Sequence, residues 1–592
     1  MTASADFVSM DDAVRAHAAG RAAAEAFVFV AETVRGEVRH AVSYAALEAG
    51  SARLAGFLAE AAGGDLRGER VVLAVSAARS FVTALFAIWR AGGVPVPAPA
   101  AGRTRVGRER LVHIVDDCAP VLAVADPADA GFVPGGPDAV PAPGLGDAVV
   151  VRLPGTGSPA ASPADLALLQ YTSGSTSEPK GVLLTHANLL ANLRLITART
   201  GASAATKMCS WLPLYHDMGL VGTVLQPVFN GGSAVLLPPS LFLKRPYRWL
   251  QLVSEHRATA TVAPNFGYQL CVDRVDDRRI AGCDFTSWEI ALNGSEAISA
   301  ETVAGFSRKF AGYGLSPTAM RPCYGMAEAA LLVSCADPRR PPGIATVAAD
   351  AVQRGRFAIA GATSGAATQD LVSCGPVHGF DVVVADPDTG ATLEPGRIGE
   401  VWIRGASVAA GYWRGTAAGE AKFGVTADDG RRGFLRTGDL GVCHDGELYI
   451  TGRLKDVLVV RGRKLHPHDL EREVRLAHPA LAEAPAAVFA APGAEGSVVA
   501  VAELRRSAGF GAGELASMAE RVRAQVARQY EVRVAGVAFV RPGQVPRTSS
   551  GKVQHARARA LYEASRLETL FETKDQAVVR AAENRAAAGA AG

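Results

Sequence analysis

One short segment of the chain combines the groups needed to hold a polyphosphate. It reads Tyr171-Thr-Ser-Gly-Ser-Thr-Ser-Glu-Pro-Lys-Gly181 and comes after the apolar run from Leu166 to Leu169. Glycine lets the backbone approach phosphate oxygens, hydroxyl and amide groups donate hydrogen bonds to them, and the ammonium group of Lys180 offsets their charge. The segment therefore predicts a nucleoside triphosphate site. Its candidate ligands are Thr172, Ser173, Gly174, Ser175, Thr176 and Lys180.

The same segment does not fit a P-loop of the Walker type. The motif G-x-x-x-x-G-K-S/T requires glycine where Pro179 stands and a hydroxyl group where Gly181 stands. A P-loop fold is therefore disfavoured. Taken alone, a run of serine, threonine and glycine is also typical of a polar surface turn, so a phosphate site needs support from other motifs of the chain.

Four further motifs lie C-terminal to this segment. They are Tyr324-Gly-Met-Ala-Glu328, Arg436-Thr-Gly-Asp439, Gly452-Arg-Leu-Lys-Asp456 and Pro546-Arg-Thr-Ser-Ser-Gly-Lys552. Together with the phosphate segment, and in this order, they resemble the adenylate-forming superfamily of acyl-CoA synthetases, peptide-synthetase adenylation domains and luciferases. Within it the chain is most similar to the fatty acyl-AMP ligases. The segments that carry this closer resemblance are Leu169-Gln-Tyr-Thr-Ser-Gly-Ser-Thr-Ser-Glu-Pro-Lys180, Trp211-Leu-Pro-Leu-Tyr-His-Asp-Met-Gly-Leu220, Ala263-Pro-Asn-Phe266, Pro322-Cys-Tyr-Gly-Met-Ala-Glu328 and Val372-Ser-Cys-Gly375.

The resemblance implies that the protein activates a fatty acid with ATP. A carboxylate is a poor electrophile, and attack on the α-phosphate turns it into an acyl adenylate whose leaving group is AMP. Negative charge gathers on the α-phosphate in the transition state, and a positioned cation stabilises it. By resemblance that cation is Lys552, which bridges carboxylate and phosphate. A lysine on an isolated loop would be a solvated charge, but the motif around Lys552 favours the catalytic role.

The resemblance also implies ligands for Mg²⁺ and for the nucleotide. Glu328 would hold Mg²⁺ on the phosphates, since a carboxylate suits a hard cation; Ala327 stands where many members have threonine, which leaves the metal geometry open. Tyr324 would stack on adenine and Asp439 would accept both ribose hydroxyls. Read singly, Glu328 and Asp439 would be a helix-start carboxylate and a turn aspartate. The nucleotide-binding set is completed by Asn293, Gly294, Ser295, Gly325, Met326 and Arg453.

Two histidine-containing segments raise other possibilities. His216 beside Asp217 could indicate acid–base catalysis or a metal pair, whereas the resemblance places this stretch in the acyl and adenylate pocket. The substrate-binding residues it implies are His216, Asp217, Met218, Gly219 and Phe266. The second segment, His466-Pro-His468-Asp469, could be a metal cluster, but Pro467 followed by an amphipathic run favours a helix N-terminus.

The elements that must position these residues alternate between strand and helix. Apolar runs from Val71 to Val75 and from Val94 to Val96 flank a helical stretch from Phe81 to Trp89, which is a βαβ pattern. Thr259 to Ala263 and Glu289 to Leu292 predict further buried strands. The expected fold is α/β, with a large N-terminal body of stacked sheets and helices, the adenylate-forming enzyme fold, and a small α+β C-terminal domain. The Pro/Gly/Ala-rich stretch 127–163 predicts a surface loop.

The pattern of apolar residues changes after Arg453, which indicates a domain boundary. We expect an N-terminal adenylation body over 1–454, a mobile C-terminal domain over 455–570 that carries Lys552, and a disordered alanine-rich tail over 571–592. By resemblance Lys455 is the hinge. An insertion is expected at about 341–372; it fits the insertion that in these ligases hinders presentation of coenzyme A, although a long surface loop without catalytic consequence stays open as an alternative.

Composition excludes several classes of partner. Lysine and arginine total 61 against 58 aspartate and glutamate, so the net charge does not favour nucleic acid. Charged residues interrupt every long apolar run, so no membrane span is expected, and the N-terminus lacks the order of a secretion signal. The eight cysteines contain no C-x-x-C pair, which argues against a zinc ribbon. These features predict a cytoplasmic protein.

The predicted partners are ATP and a fatty acid, which the resemblance implies, and an acyl carrier protein. We expect the carrier protein to be a separate chain because the sequence has no carrier-like segment after Lys552. Two alternatives stay open at this point. One is a fatty acyl-CoA synthetase, which shares the first half-reaction but passes the acyl group to coenzyme A. The other is a non-catalytic nucleotide or acyl binder on the same scaffold, since motifs alone do not establish turnover.

Overall fold

The computed structural model describes most of the chain. The described residues are 7–34, 36–102, 105–133, 139–153, 165–172, 179–361, 367–415, 417–460, 463–482, 484–504, 509–548, 551–581 and 583. Among them, no helix combines the length and the apolar character that a bilayer crossing demands.

A large sheet organises the N-terminal body. Its order is Leu332–Cys335, Met320–Gly325, Ile290–Gly294, Ala260–Pro264, Lys207–Ser210, Ser233–Leu236, Glu25–Thr33 and Gly36–Ser43. The inner strands run parallel and the outermost strand at each edge pairs antiparallel. Strands of this kind are covered on both faces and read as continuous apolar runs, which is why the predicted strands at 259–263 and 289–292 are confirmed. Their carboxyl ends lie at one edge, where loops can carry functional side chains.

A second sheet confirms the βαβ prediction and corrects another. Arg70–Ala74 pairs parallel with Val94–Pro97, and helix Ala78–Arg90 connects them. The prediction of a surface loop over 127–163 was wrong in part. Val149–Arg152 pairs with Leu122–Ala125, and the side chains of Val150 and Val151 are fully buried, because a run of β-branched residues fits a buried strand despite its proline- and glycine-rich surroundings. This sheet has the order Val94–Pro97, Arg70–Ala74, Leu122–Ala125, Val149–Arg152 and Val140–Pro141.

Smaller sheets complete the body. One joins Gly411–Tyr412, Gly181–Thr185 and Leu166–Tyr171; another joins Phe380–Ala385, Gly399–Gly405, Leu435–His444 and Glu447–Arg453. The helices of the body are Met10–Gly20, Tyr44–Ala62, Ala78–Arg90, Arg105–Cys118, Pro127–Ala130, His186–Thr200, Asp217–Leu220, Gln226–Asn230, Pro239–Lys244, Pro246–Glu255, Asn265–Arg274, Ala300–Ala311, Ala349–Gln353 and Ala417–Glu420. A π-helical turn, Val221–Leu225, and 3₁₀ turns at Asp277–Arg279, Ala327–Ala329 and Leu454–Asp456 lie between them.

The segment predicted to be an insertion contains a hairpin. Ile344–Ala348 pairs antiparallel with Thr368–Val372, and helix Ala349–Gln353 lies between the two strands. Val347 is fully buried and packs with Phe357, Leu371 and Tyr449. The hairpin is therefore anchored to the body by an apolar cluster.

The chain after Arg453 forms a sheet with its own apolar core. The sheet has the order Ala486–Ala490, Ser497–Glu503, Arg533–Val540 and Thr569–Lys574, beside the ribbon of Leu458–Val460 and Arg463–Leu465, the helices Pro467–Leu476, Ala512–Tyr530 and His555–Glu563, and the 3₁₀ turn Pro479–Leu481. Leu470, Val474, Met518, Val522 and Phe539 are all buried together. The expected α+β character of this part is confirmed.

The expected start of the tail at residue 571 needs a correction. Thr569–Lys574 is a strand that pairs with Arg533–Val540, and Val578 is buried against the second apolar face of this sheet. The ladder hydrogen bonds and the apolar contacts order residues that the alanine-rich composition suggested were free. Ordered structure therefore continues past 571, while 582 and 584–592 lie outside the described residues.

Candidate active site

A cavity of about 640 Å³ lies between the body and the C-terminal part of the chain. Its walls include residues from the phosphate segment, the loop after Lys207–Ser210, the ends of Ile290–Gly294 and Met320–Gly325, and the Leu435–His444 hairpin. Lys552 also lines it. The predicted site residues that line the cavity are Thr172, Lys180, His216, Asp217, Met218, Ser295, Tyr324, Gly325, Met326, Glu328, Asp439, Arg453, Lys455 and Lys552.

One end of the cavity holds a hydrogen-bonded acidic group. The hydroxyl group of Tyr324 donates to Oδ2 of Asp439 at 2.7 Å, and Nε of Arg453 lies 3.3 Å from Oδ1 of the same carboxylate. Burial, reinforced by the Asp439 carboxylate, raises the pKa of Tyr324 well above its ordinary value, so the phenol keeps its proton. The sequence predicted the carboxylate and the ring, but not that they touch.

Glu400 fixes the turn that presents Asp439, and sequence reasoning missed it. The Glu400 side chain is almost completely buried. Its Oε1 accepts a hydrogen bond from the backbone N–H of Gly438 at 3.1 Å, and its Oε2 accepts from Nε of Arg436 at 2.8 Å. A buried carboxylate satisfied in this way holds the backbone of the turn in one position. The only sign of this role in the sequence is that Glu400 is a charged residue within a largely apolar strand, Gly399–Gly405.

Glu328 has a partner that the sequence did not indicate. It lies on the 3₁₀ turn Ala327–Ala329, and its Oε1 accepts a hydrogen bond from the hydroxyl group of Tyr412 at 2.7 Å. Nζ of Lys180 lies 5.2 Å from the centre of the Tyr412 ring, within the range of a cation–π contact. Tyr412 therefore connects the candidate metal ligand with the lysine of the phosphate segment.

The phosphate segment enters and leaves the cavity on paired strands. Leu166–Tyr171 and Gly181–Thr185 are antiparallel, and the backbone N–H of Thr172 donates to the carbonyl oxygen of Lys180 at 3.0 Å. This closure brings Thr172 and Lys180 to the same wall. Ser173, Gly174, Ser175 and Thr176 lie outside the described residues.

Lys552 enters the cavity on a short turn of the C-terminal part. The backbone N–H of Lys552 donates to Oγ1 of Thr548 at 3.1 Å. Burial, with a smaller effect from the Arg453 guanidinium, lowers the pKa of Lys552 to about 8, while Asp217 and Glu296 oppose the shift. The lysine is thus a cation near neutral pH, held among carboxylates of the body.

His216 and Asp217 lie opposite this lysine. Nδ1 of His216 is 2.5 Å from Oδ1 of Asp217, and the same oxygen accepts from the backbone N–H of Met218 at 2.7 Å. Burial alone would raise the pKa of Asp217, yet His216 and Lys552 hold it below its ordinary value. Gly219 is not among the residues that line the cavity, and a β-carbon at this position would lie 2.1 Å from the carbonyl oxygen of Pro213. Across the described ranges, no three His, Cys, Asp or Glu side chains converge as a metal cluster.

Phe266 and Glu296 form the surface on which the Lys552 turn rests. Oε1 of Glu296 accepts a hydrogen bond from the backbone N–H of Phe266 at 2.6 Å, and the Phe266 ring lies against Gly551. Burial raises the pKa of Glu296, and the Lys552 and Arg475 cations act against that rise. Phe266 itself is not among the residues that line the cavity. Glu296 received no role from the sequence, where it is simply the residue after the candidate Ser295.

The remaining nucleotide-binding candidates lie at or just after the ends of strands Ile290–Gly294 and Met320–Gly325. Asn293 is completely buried and Gly294 packs on Cys323, so these two lie behind the wall, while Ser295 and Met326 reach the cavity. A β-carbon on Gly325 would lie 1.9 Å from the carbonyl oxygen of Leu331, so only glycine fits there. The positions of these glycines are set by close backbone contacts.

Two further candidates concern the boundary after Arg453. Lys455 lies on the 3₁₀ turn Leu454–Asp456 directly after strand Glu447–Arg453, and burial together with Arg453 lowers its pKa. His466 caps helix Pro467–Leu476, whose first residue is proline. The prediction of a helix N-terminus there is confirmed.

Comparisons with known proteins agree with this arrangement. Residues 14–413 match the AMP-binding enzyme family, and residues 455–571 match the AMP domain of the Disco-interacting protein 2-like family. The chain therefore belongs to the AMP-binding enzymes, and within them to the fatty acyl-AMP ligases.

Individual relatives show how far the likeness extends. The medium-chain fatty acid acyl-carrier-protein ligase JamA of Moorena producens is 34% identical over 84% of this chain and 86% of its own length. The corresponding ligase TtuA of Teredinibacter turnerae is 39% identical over 68% of this chain, and the match spans 64% of TtuA, less than two thirds of it. A crystal structure of a fatty acyl-adenylate ligase from L. pneumophila, in complex with acyl adenylate and pyrophosphate, is 28% identical with a TM-score of 0.71, covering 97% of this chain and 99% of that chain. The likeness therefore includes both parts of the molecule.

Proposed function

We propose that this protein activates a fatty acid with ATP, releases pyrophosphate, and passes the acyl group to the phosphopantetheine thiol of a separate acyl carrier protein. The observation that carries the proposal is the presence of Lys552 in the same cavity as Tyr324, Glu328 and Asp439. A cation from one part of the chain thereby meets the nucleotide-binding groups of the other. The names of the relatives TtuA and JamA support a fatty acid as substrate and a carrier protein as acceptor.

In the first half-reaction an oxygen of the fatty carboxylate attacks the α-phosphorus of ATP. A new P–O bond forms, the bond to the β-phosphate oxygen breaks, and pyrophosphate leaves. The ammonium group of Lys552 binds both the carboxylate and the α-phosphate, so it offsets charge where the transition state gathers it. Asp217 and Glu296 keep this lysine protonated before substrate arrives.

The nucleotide is held at the other end of the cavity. Asp439 accepts hydrogen bonds from the ribose hydroxyls, and the Tyr324 hydroxyl and Arg453 fix the orientation of that carboxylate. Lys180 and Thr172 contact the phosphates. The tyrosine ring offers a face to adenine, as aromatic side chains do for bases.

Mg²⁺ is the expected metal, and the residues present fit it. Mg²⁺ binds through one or two carboxylates together with substrate phosphates rather than in a cage made by protein alone. Glu328 supplies one carboxylate in the cavity wall, and Tyr412 orients it. When bound, the ion would neutralise phosphate charge.

The choice of acceptor depends on the hairpin at 341–372. Nε2 of Gln369 lies 3.1 Å from Oδ1 of Asp469, and Nη1 of Arg463 donates to Oε1 of Gln353 at 3.3 Å. Both contacts join the hairpin to the C-terminal part. They restrain rotation about Lys455, which we propose as the hinge between a body over 1–454 and a small domain that starts at 455. Such a restraint favours a carrier-borne thiol over free coenzyme A.

In the second half-reaction the thiol sulfur attacks the acyl carbon, the new C–S bond forms, and AMP leaves with the electron pair of the C–O bond.

Because the reaction consumes ATP and needs a carrier protein, we place the protein in the cytoplasm.

The decisive experiment incubates the protein with ATP, Mg²⁺ and a fatty acid, alone or with either coenzyme A or a phosphopantetheinylated carrier protein. Mass spectrometry should detect acyl adenylate alone and acyl carrier protein when the carrier is added. Abundant acyl-CoA would show that the protein is an acyl-CoA synthetase instead. Absence of adenylate with every acid would favour a non-catalytic binder.

A further inference from the structure

The turn that carries Lys552 is closed by its own backbone. We call residues 546–554 the lysine turn; 549 and 550 lie outside the described residues. The backbone N–H of Thr548 donates to the carbonyl oxygen of Lys552 at 2.7 Å, and the backbone N–H of Gln554 donates to the carbonyl oxygen of Pro546 at 2.9 Å. The two legs of the turn are therefore joined to each other, and the groups that hold its two ends set the position of Lys552.

The start of the lysine turn is held by a buried carboxylate. The backbone N–H of Val545, the residue before the turn, donates to Oε1 of Glu503 at 3.0 Å. Glu503 is the last residue of strand Ser497–Glu503 and is almost completely buried. Because this contact is made by the backbone, it does not depend on the side chain at position 545.

The end of the lysine turn is held by a side chain. Nε2 of His555, the residue after the turn and the first of helix His555–Glu563, lies 2.6 Å from Oε1 of Glu471. A carboxylate can only accept a hydrogen bond, so the nitrogen carries the proton. Nδ1 of the same ring is buried and has no hydrogen-bond partner among the residues that the structure describes. Nε2 is therefore the nitrogen that fixes the ring.

Glu471 is itself fixed to the core of the C-terminal part. It lies on helix Pro467–Leu476 and is almost completely buried. Its Oε1 also accepts from the backbone N–H of Val488, at 3.1 Å, in the edge strand Ala486–Ala490. Burial disfavours the ionised form of each partner, yet Glu471 raises the pKa of His555 and His555 lowers the pKa of Glu471. A hydrogen bond between ionised partners is short and strong, so a firm link joins the sheet edge to the turn.

We propose that His555 is a positioning residue for adenylation, and that its hydrogen bond to Glu471 holds Lys552 where the ammonium group meets the α-phosphate and the carboxylate. Lys552 lines the cavity, whereas His555, three residues later, is not among the residues that line it. The histidine therefore acts through the turn and does not touch the substrate. The inference rests on the proposed function, because adenylation is the step in which the lysine is needed.

The positioning role predicts a loss in kcat with little change in KM for ATP. The groups that we propose as nucleotide ligands, such as Lys180 and Asp439, belong to the body and do not move with the turn. The ammonium group is needed where charge develops in the transition state. Loss of an interaction made only in the transition state lowers kcat and kcat/KM equally.

The experiment compares two amides at position 555 that differ by one methylene group. Pyrophosphate release by the full chain is measured with ATP, Mg²⁺ and a fatty acid. H555Q places an N–H donor near the position of Nε2 and should keep most of the wild-type kcat. H555N is too short to reach Glu471 and should lose roughly ten- to a hundredfold, as expected for a misplacement of about 1 Å. E471D, which withdraws the acceptor instead of the donor, should reproduce this loss.

The matched control is Q525N. Nε2 of Gln525 donates to Oε2 of Glu473 at 2.6 Å, and Glu473 is a second buried glutamate of helix Pro467–Leu476. Q525N shortens a side chain by one methylene group, and so breaks a similar bond to the same helix. Gln525 belongs to helix Ala512–Tyr530 and not to the lysine turn, so kcat should stay at the wild-type value. Thermal denaturation establishes that each variant is folded.

The possible results separate the two proposals. A loss of kcat in H555N and E471D that H555Q and Q525N do not share supports the positioning role. Equal losses in H555N and Q525N, or in H555N and H555Q, overturn it while the proposed function stands on the wild-type activity. A rise in KM for ATP that accounts for the whole loss overturns it as well. If the wild-type protein releases no pyrophosphate with any acid, both proposals fail. E471D decides if H555N does not fold.

Discussion

The ring of Phe266 lies directly over the α-carbon of Gly551. A β-carbon at position 551 would be 2.5 Å from Cε1 of Phe266, and the φ angle of Gly551 is +88°. Phe266 belongs to the body, and Gly551 immediately precedes the candidate catalytic Lys552. The aromatic ring is thus a contact surface that sets how far the lysine turn enters the cavity.

Substitution G551A should abolish adenylation without unfolding either part of the molecule. The new methyl group cannot occupy the position next to Phe266, so the turn must withdraw and carry Lys552 away from the phosphate. G543A is the matched control: Gly543 has a similar φ of +87° but no neighbour within 4 Å of the added carbon. Pyrophosphate release should fall at least tenfold more in G551A than in G543A. Equal losses would show that the contact with Phe266 does not matter.

Substitution K552A should lower the rate of adenylate formation by roughly a hundred- to a thousandfold, the usual loss when one group that stabilises developing charge is removed. ATP binding, measured by calorimetry, should remain close to wild type because the ribose and phosphate ligands lie in the body. K464A, at an exposed lysine of the same part of the chain, should have no effect. An unchanged rate in K552A would remove the assigned role.

The pH dependence of kcat/KM should show an alkaline limb near pH 8. The required form of Lys552 is the ammonium, its pKa is lowered to about 8, and the protonated fraction therefore falls as pH rises through that value. Glu296 raises this pKa, so E296Q should move the limb to lower pH. E301Q, which alters an exposed carboxylate in the first turn of the next helix, should leave the limb in place. If the alkaline limb does not move in E296Q, Glu296 does not raise the pKa of Lys552.

Substitution Y412F should raise the Mg²⁺ concentration needed for half-maximal pyrophosphate release. The change removes only the hydroxyl group that holds Oε1 of Glu328, and loss of such an orienting partner costs roughly ten- to a hundredfold in metal affinity or activity. Affinity for ATP without metal should be nearly unchanged. Y247F, in the helix Pro246–Glu255, serves as the control. Identical Mg²⁺ titrations for Y412F and wild type would exclude Glu328 as the ligand that Tyr412 orients.

The double variant Q353A/Q369A should increase acyl-CoA formation. It removes the hydrogen bonds that Gln369 makes with Asp469 and that Gln353 makes with Arg463, so the restraint on rotation is weaker and free coenzyme A gains access. Adenylate formation should change little, since neither glutamine lines the cavity. If acyl-CoA stays at the wild-type level while adenylation is intact, these two contacts do not select the acceptor.

Local sequence determined the elements and most of the chemistry. An apolar run predicts the buried strand Ile290–Gly294, and apolar residues at helical spacing predict the helix Ala78–Arg90. Both patterns are readable because a strand and a helix each bury their apolar side chains with a characteristic period. The motifs around Tyr324, Asp439 and Lys552 indicated adenylation through their resemblance to the adenylate-forming superfamily, and each residue type suits the part of ATP chemistry that the resemblance assigns to it. The strand Val149–Arg152 was missed because flanking proline and glycine suggested a loop.

Only the tertiary structure decided which groups touch. Glu400 beneath Gly438, Tyr412 against Glu328, and Phe266 over Gly551 are contacts between residues far apart in the chain, and no local pattern encodes such distances. Residue type sets the chemistry that a side chain can perform. The packing of distant segments sets its hydrogen-bond partners and its burial, and these determine its pKa and therefore its charge.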